Sequence, residues 1–255
     1  VTLESVTAAI RPETKLISIM AANNEIGSLN PIAEIGQLAR SKKIRFHTDA
    51  AQAAGRMPLA VDPMGIDLMS LSGHKIYGPK GVGALFVRRE EIPMKPLFFG
   101  GAQEWGLRPG TLNVPGIVGL GAACEIARLE GEAECLKLKV LRDRLVKSIL
   151  AEVKDCHLNG HPDVRLAGNV SLSFSELKSD LFSLGFSGLA CSSGSACTSG
   201  SGHPSHVLKA LGLSLEASRA TLRLGLGRFT TAADIDSALT TILASLKKNR
   251  DLSPG

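Results

Sequence analysis

Lys75 stands in Ser72-Gly73-His74-Lys75, followed by the glycine-rich exit Ile76-Tyr-Gly-Pro-Lys-Gly-Val-Gly83. The residues before it, Ile66 to Leu71, read as a short buried strand, and Gly83 to Arg88 as another, which puts the lysine on a connection between strands. A primary amine held there among Ser, His and glycines can condense with an aldehyde, the way a lysine holds pyridoxal 5'-phosphate (PLP). The plain alternative is a surface lysine in a strand connection, and this stretch alone leaves both open. Asp49 follows an apolar run, and an ionised carboxylate at the end of a buried strand is costly unless something positive meets it. A protonated pyridine nitrogen is one such partner; a helix N-cap ahead of Ala50-Ala51-Gln52 is the other reading. His47 shares the strand face of Asp49 and is expected to support that carboxylate, the alternative being that it fills the sheet.

Other polar side chains fit the same chemistry. Asn24 and Gln52 follow strand ends, where their amides reach a ring hydroxyl or serve as ordinary turn residues. Ser72, His74 and Thr111 offer hydroxyl and imidazole donors of the kind a phosphate needs, although no obvious helix N-terminus accompanies them. Cys197 lies in Ser192-Ser-Gly-Ser-Ala-Cys197-Thr-Ser-Gly-Ser-Gly202, too polar for a core, so its thiol is expected to be reachable and reactive. Cys124 and Cys191 suit the role of small buried hydrophobes better. Arg223, between apolar neighbours in Thr221-Leu-Arg-Leu-Gly225, calls for a carboxylate, supplied by the protein or by a substrate. A metal module on Cys191, Cys197, His203 and His206 matches no common zinc spacing, so no metal is expected.

The chain that must position these groups has 255 residues, 44% hydrophobic and 21% charged, enough for one large core or two moderate ones. No apolar run approaches a membrane span and no leader is visible at Val1, so the expectation is a cytoplasmic protein without membrane contact. Five cysteines without a Cys-x-x-Cys pair argue against a disulfide framework or a zinc ribbon. The net charge of +5 is spread along the chain, and with one Trp and one Tyr there is no aromatic interleaving for nucleic acid.

Taken in order, the pattern predicts a helix over Thr2–Ile10, a strand over Lys15–Met20 and a turn at Asn23-Asn24-Glu25-Ile26-Gly27. A helix follows with Asn30 as N-cap and Pro31 first, burying Ile32, Ile35, Leu38 and Ala39, and then a strand over Ile44–His47. That alternation is the mark of a mostly parallel sheet whose ligands bind beyond the carboxyl ends of its strands. Gly100–Thr111 reads as a functional loop. A long helix starts at Pro115 and runs to Val153, broken or bent around Gly131, bridging into a second domain. Beyond it come a half-buried strand over Val170–Phe174, a short helix over Ser179–Leu184, a helix over Pro204–Leu211, a strand over Thr221–Gly225, and a last helix to Lys248 behind a Thr231–Asp234 capping box. The expected division is 1–128, part of a large α/β domain, and 129–255, a smaller α/β domain with the cysteine loop.

Jointly these segments resemble the cysteine desulfurases, fold-type-I PLP enzymes of the aminotransferase superfamily, in the branch with the long Ser-Ser-Gly-Ser-Ala-Cys loop. The matching stretches are Asn23–Gly27, His47-Thr-Asp49-Ala-Ala-Gln52, Ser72–Gly81, Arg108-Pro-Gly-Thr111, Ser192–Ser199 and Leu222–Thr230, in the family's order. The resemblance implies that Lys75 binds the cofactor covalently and shuttles the substrate's α proton. It implies that Asp49 pairs with the pyridine nitrogen, that Gln52 and Asn24 contact the ring hydroxyl, and that Ser72, His74 and, across a homodimer interface, Thr111 hold the phosphate. Arg223 would grip the carboxylate of L-cysteine; Cys197 would take the sulfur as a persulfide and release L-alanine. The sulfur would then pass to a scaffold or carrier protein for iron-sulfur clusters or thiolated cofactors. The family's phosphate loop and ring-stacking histidine lie upstream of the matching segments, so the chain, opening on Val1, reads as a fragment expected to bind PLP weakly and turn over little. The rivals are a selenocysteine lyase or other PLP lyase, and a non-catalytic sulfur-transfer partner that kept the fold.

Overall fold

The structure, a computed structural model, describes residues 1–88, 92–175, 177, 186, 188–193 and 205–251, with residues 249–251 described by backbone alone. The chain divides into two compact units, one of Val1–Ala22 with Asn30–Glu132, the other of Asn23–Leu29 with Ala133–Gly255.

The first unit is built on a sheet of β1 (Leu16–Ser18), β2 (Arg45–Asp49), β3 (Leu68–Ser72) and β4 (Gly83–Val87), in that order, the first three parallel and β4 antiparallel to β3. Phe46 and Thr48 are buried on one face of β2 while His47 and Asp49 occupy the other, as the period of two requires. The pairing sets Ser18 opposite His47 and Asp49 opposite Ser70, so the three parallel strands present their carboxyl ends on one edge. The preceding helix α1 (Leu3–Ala9) is closed by a reciprocal Thr2–Ser5 capping box. In α2 (Ile32–Ser41), Ile32, Ile35, Gly36 and Ala39 face inward. Its N-cap is Pro31, not Asn30, whose side chain turns to the end of β1 instead, Nδ2 donating to the Met20 carbonyl at 2.8 Å. Gly36 meets the backbone of the next connection so closely that a Cβ would stand 1.9 Å from the Met64 carbonyl oxygen. Gly36→Ala is therefore expected to destabilise the chain by about 2–3 kcal/mol, read as a lower urea midpoint at unchanged slope.

The β3–β4 connection is a single 3₁₀ turn, Gly73–Ile76, ended by Tyr77 at φ +65°. Gly73 N–H donates to Val82 O and Gly78 N–H to Gly73 O, both at 2.9 Å, and a Cβ on Gly83 would lie 2.5 Å from Leu71 O. The glycines thus let the two arms close on each other and leave little freedom to the turn that carries Lys75.

The second unit holds an antiparallel sheet, β5 (Cys156–Leu158), β6 (Asn169–Phe174), β7 (Ser192–Ser193) and β8 (Thr221–Gly225), ordered β5-β6-β8-β7. Leu172, Phe174 and Leu222 from the sheet, Leu145 and Ile149 from the long helix that precedes it, and Ile242 from the last helix form its core. β6 is buried along both faces, not half-buried as its alternation suggests. Its two serines are sealed by a buried amide: Asn159 Nδ2 donates to Ser171 Oγ at 3.2 Å, and Ser173 Oγ donates to Asn159 Oδ1 at 3.1 Å. Helix α3 (Val114–Glu152) runs unbroken through Gly131, which serves close approach instead, since a Cβ there would lie 2.7 Å from Gly55 O. Two short helices follow, α4 (His206–Ala210), capped by Ser205, and α5 (Leu215–Arg219), capped by Ser214. The last, α6 (Ala232–Asp251), starts behind Thr231 and Asp234, whose backbone amides each bond the other's side chain. The expected helix over Ser179–Leu184 lies outside the described residues, as do Cys197 and His203. Among the described residues no helix is long and apolar enough to cross a membrane.

Candidate functional site

In the first unit, Asp49 closes β2 at the carboxyl edge of the sheet. Its Oδ1 accepts the Ala51 N–H at 2.9 Å, and residues 51–56 are turns, so the side chain makes an Asx-type turn and caps no helix. Gln52 is half-buried in those turns. One strand over, Ser72 ends β3 and precedes the turn without capping it by its side chain, His74 is exposed, and Lys75 is half-buried. Arg56 braces this turn through Nη2, which donates to the Lys75 carbonyl at 3.1 Å; a bond to backbone left no trace in the motif spacing. Thr111 is exposed on a loop folded on itself, Arg108 Nη1 donating to Gly110 O at 3.2 Å and Thr111 O at 3.3 Å.

His47 does not hydrogen-bond Asp49, contrary to the supporting role expected of it. Its Nδ1 bonds Ser18 Oγ at 2.8 Å and its Nε2 bonds Ser70 Oγ at 2.7 Å, so the imidazole ties β1, β2 and β3 together laterally. With one hydroxyl on each nitrogen, neither is left for the carboxylate two residues on.

In the second unit, Asn24 and Arg223 come together. Arg223 is half-buried in β8, paired with Ser171 of β6 and Ser192 of β7. Its Nε donates to Ser192 Oγ at 3.1 Å and its Nη1 to the Asn24 carbonyl at 3.4 Å; among the described residues it meets no carboxylate. The turn bearing Asn24 is built by Asn23, whose Oδ1 accepts the N–H groups of Glu25 (2.9 Å) and Ile26 (3.0 Å), with Gly27 at φ +74°. Arg165, buried, seats it by donating from Nη2 to Ile26 O at 2.9 Å, and Asn169 Nδ2 donates to Glu25 O at 3.3 Å. Burial, with Arg142 nearby and only partly offset by Asp143, brings the Arg165 guanidinium down to about 10, still charged at neutral pH.

One family description, Aminotransferase class-V, matches this chain over residues 1–238. The chain belongs to the aminotransferase class-V family. Its fold is the α/β fold of the fold-type-I PLP enzymes of that family. Among curated relatives it is 46% identical to a human cysteine desulfurase over 253 residues, covering 99% of this chain and 55% of the relative. It is 48% identical to the cysteine desulfurase IscS of Tolumonas auensis, covering 99% and 63%. Among solved structures, a NifS-like protein from Rickettsia africae superposes with a TM-score of 0.84 at 29% identity, covering 96% of this chain and 65% of that one. SspA in complex with cysteine gives 0.74 at 38%, covering 91% and 64%. The chain thus spans little more than half the length of the first curated relatives it matches.

Proposed function

We propose that this class-V family member acts as a PLP-dependent cysteine desulfurase, converting L-cysteine to L-alanine while Cys197 takes the sulfur. The reading is carried by one observation, the acid Asp49 and the amine Lys75 placed at the ends of adjacent parallel strands, where ligands of such sheets bind. The donor set fits the cofactor: an amine for its aldehyde, a carboxylate for its ring nitrogen, and the Ser72 hydroxyl and His74 imidazole for its phosphate. When bound, PLP supplies an electron sink for charge developing at the substrate's α carbon.

The chain's own groups do the rest. Lys75 holds the cofactor and moves the α proton; Asp49 keeps the ring nitrogen charged; Gln52 and Asn24 bond the ring hydroxyl; Thr111 reaches the phosphate from the second copy of a homodimer. Arg223, bonded to a hydroxyl and a carbonyl, keeps N–H groups for the substrate carboxylate. The Cys197 thiolate attacks the substrate sulfur, so that an S–S bond forms as the C–S bond breaks. L-cysteine and a thiol thereby become L-alanine and a persulfide, with no outside oxidant. A scaffold or carrier protein then takes the sulfur for iron-sulfur cluster or thio-cofactor assembly. Two relatives bear "mitochondrial" in their names, so the proposed compartment is the cytoplasm or the mitochondrion, and cell fractionation decides between them.

The full-length gene product, loaded with PLP and given L-cysteine, is expected to form alanine and enzyme-bound sulfur in equal amounts, with one added sulfur mass on Cys197. Alanine without sulfur on Cys197, or no alanine, would overturn the reading.

A further inference from the structure

The connections that carry the proposed acid and amine leave adjacent strands, with Asp49 at the end of β2 and Lys75 in the turn just past β3. From Asp49 the chain runs through turns bonded at each step. Ala50 N–H donates to Ser70 O of β3 at 3.0 Å, Ala53 and Ala54 N–H donate to Ala50 O at 2.9 Å, and Arg56 N–H donates to Ala53 O at 2.9 Å. The backbone of Arg56 is thereby tied to the strand pair that bears Asp49. Its side chain reaches the other connection, Nη2 donating to the Lys75 carbonyl at 3.1 Å. A ring of bonds thus closes, from β3 through the Asp49 turns and back to the turn that follows β3.

Packing within the first unit holds the two connections close. A Cβ on Gly55, at φ +67°, would stand 2.8 Å from the Ala127 Cβ of α3 and 3.5 Å from Ile76 Cγ2. A Cβ on Gly119 of the same helix would stand 2.5 Å from Pro79 Cγ. The N-terminal part of α3 therefore touches both connections, and Ile76 is buried with Leu120 and Ala123 beside Ala54. The last carbonyls of a helical turn have no donor within it. Here Gly73 O takes the N–H groups of Tyr77 and Gly78, and Lys75 O takes the guanidinium. A donor on that carbonyl restrains the rigid peptide plane between Lys75 and Ile76, and a charged donor makes the stronger bond.

We infer that Arg56 is a positioning residue for the amine of Lys75: its bond to the Lys75 carbonyl holds the connection bearing Lys75 against the one bearing Asp49 and Gln52, and proton transfer by Lys75 depends on that tie. The inference rests on the reading of Lys75 and Asp49 as the cofactor site. It goes beyond that reading in making their relative placement depend on a residue to which the proposed chemistry gives no task.

The test uses the full-length gene product. Arg56→Met keeps most of the side chain's length and removes its donors. Loaded with PLP, it is expected to lower kcat for alanine formation about tenfold or more at nearly unchanged KM for L-cysteine, since small displacements of a reacting group are costly. Arg56→Lys can still donate to the carbonyl, because the bond is single and not forked, and is expected to recover most of the rate. Arg56→Gln, neutral and too short to reach, replaces Arg56→Met if that variant folds poorly. The readout free of turnover is amide hydrogen exchange at Tyr77 and Gly78 before PLP is added. It is expected to be about tenfold faster in Arg56→Met and near wild type in Arg56→Lys, with β6 and β8 of the second unit unchanged as the reference. Unchanged kcat, or unchanged exchange at Tyr77 and Gly78, in folded Arg56→Met would overturn the inference. Exchange that quickens equally in β6 and β8 would overturn it too, since the arginine would then serve general stability. So would a loss in Arg56→Lys equal to that in Arg56→Met. If the wild-type protein forms no alanine, the proposed function fails, and the exchange rates alone decide the tie.

Discussion

Lys75→Ala is expected to lower alanine formation by about three orders of magnitude or more, while the protein melts within about 1 kcal/mol of wild type. The turn that carries the lysine is built without its side chain. The 3₁₀ turn Gly73–Ile76 is closed by Tyr77 at φ +65° and by the Gly73–Val82 and Gly78–Gly73 backbone bonds, and the Arg56 brace goes to the Lys75 carbonyl, which alanine keeps. What disappears is an amine on a rigid support, and with it both the covalent attachment and the proton carrier. Borohydride reduction of the loaded wild-type protein is expected to fix a cofactor-derived mass on Lys75, and of the variant to fix none. A small primary amine in the buffer is expected to restore part of the turnover, because it returns the chemistry without the tether. A cofactor mass on another lysine, or turnover near wild type, would contradict the assignment.

The edge that bears Lys75 and Asp49 was legible because it follows from strand order. Apolar runs alternating with a helix give parallel strands, and parallel strands bring their carboxyl ends to one side. What the sequence hid was held by partners far along the chain. Asn23–Leu29 looks like a turn inside the first unit, yet it belongs to the second, where Arg165 and Asn169 hold it by its carbonyls. β6 alternates like a half-exposed strand, but Asn159 satisfies the serines that water would otherwise have served. Gly131 reads as a break because glycine weakens a helix, whereas here it makes room for the Gly55 carbonyl. His47 shares a face with Asp49, but hydroxyls from both neighbouring strands claim its nitrogens first. Arg56 gave no signal, since a backbone carbonyl has no fixed place in a motif.

Asp49→Asn is expected to cost about 10²–10³-fold in turnover at nearly unchanged stability, and so to separate charge from hydrogen bonding. Asp49 is exposed on the first unit, and its side chain holds one described partner, the Ala51 N–H on Oδ1. Asparagine keeps that acceptor and the turn it makes, whereas Asp49→Ala loses the bond, at about 1 kcal/mol. If Asp49 served the turn alone, Asn would therefore be active and Ala impaired through stability. If its charge pairs with a ring nitrogen, both variants are inactive and only Ala is less stable. The second pattern is expected, together with weaker retention of PLP on gel filtration. A cofactor analogue methylated at the ring nitrogen, charged without help from the protein, is expected to recover part of the rate in the Asn variant and to leave the wild type no faster. Full activity in Asp49→Asn would remove the carboxylate from the site and leave the amine of Lys75 without the partner on which the proposed chemistry depends.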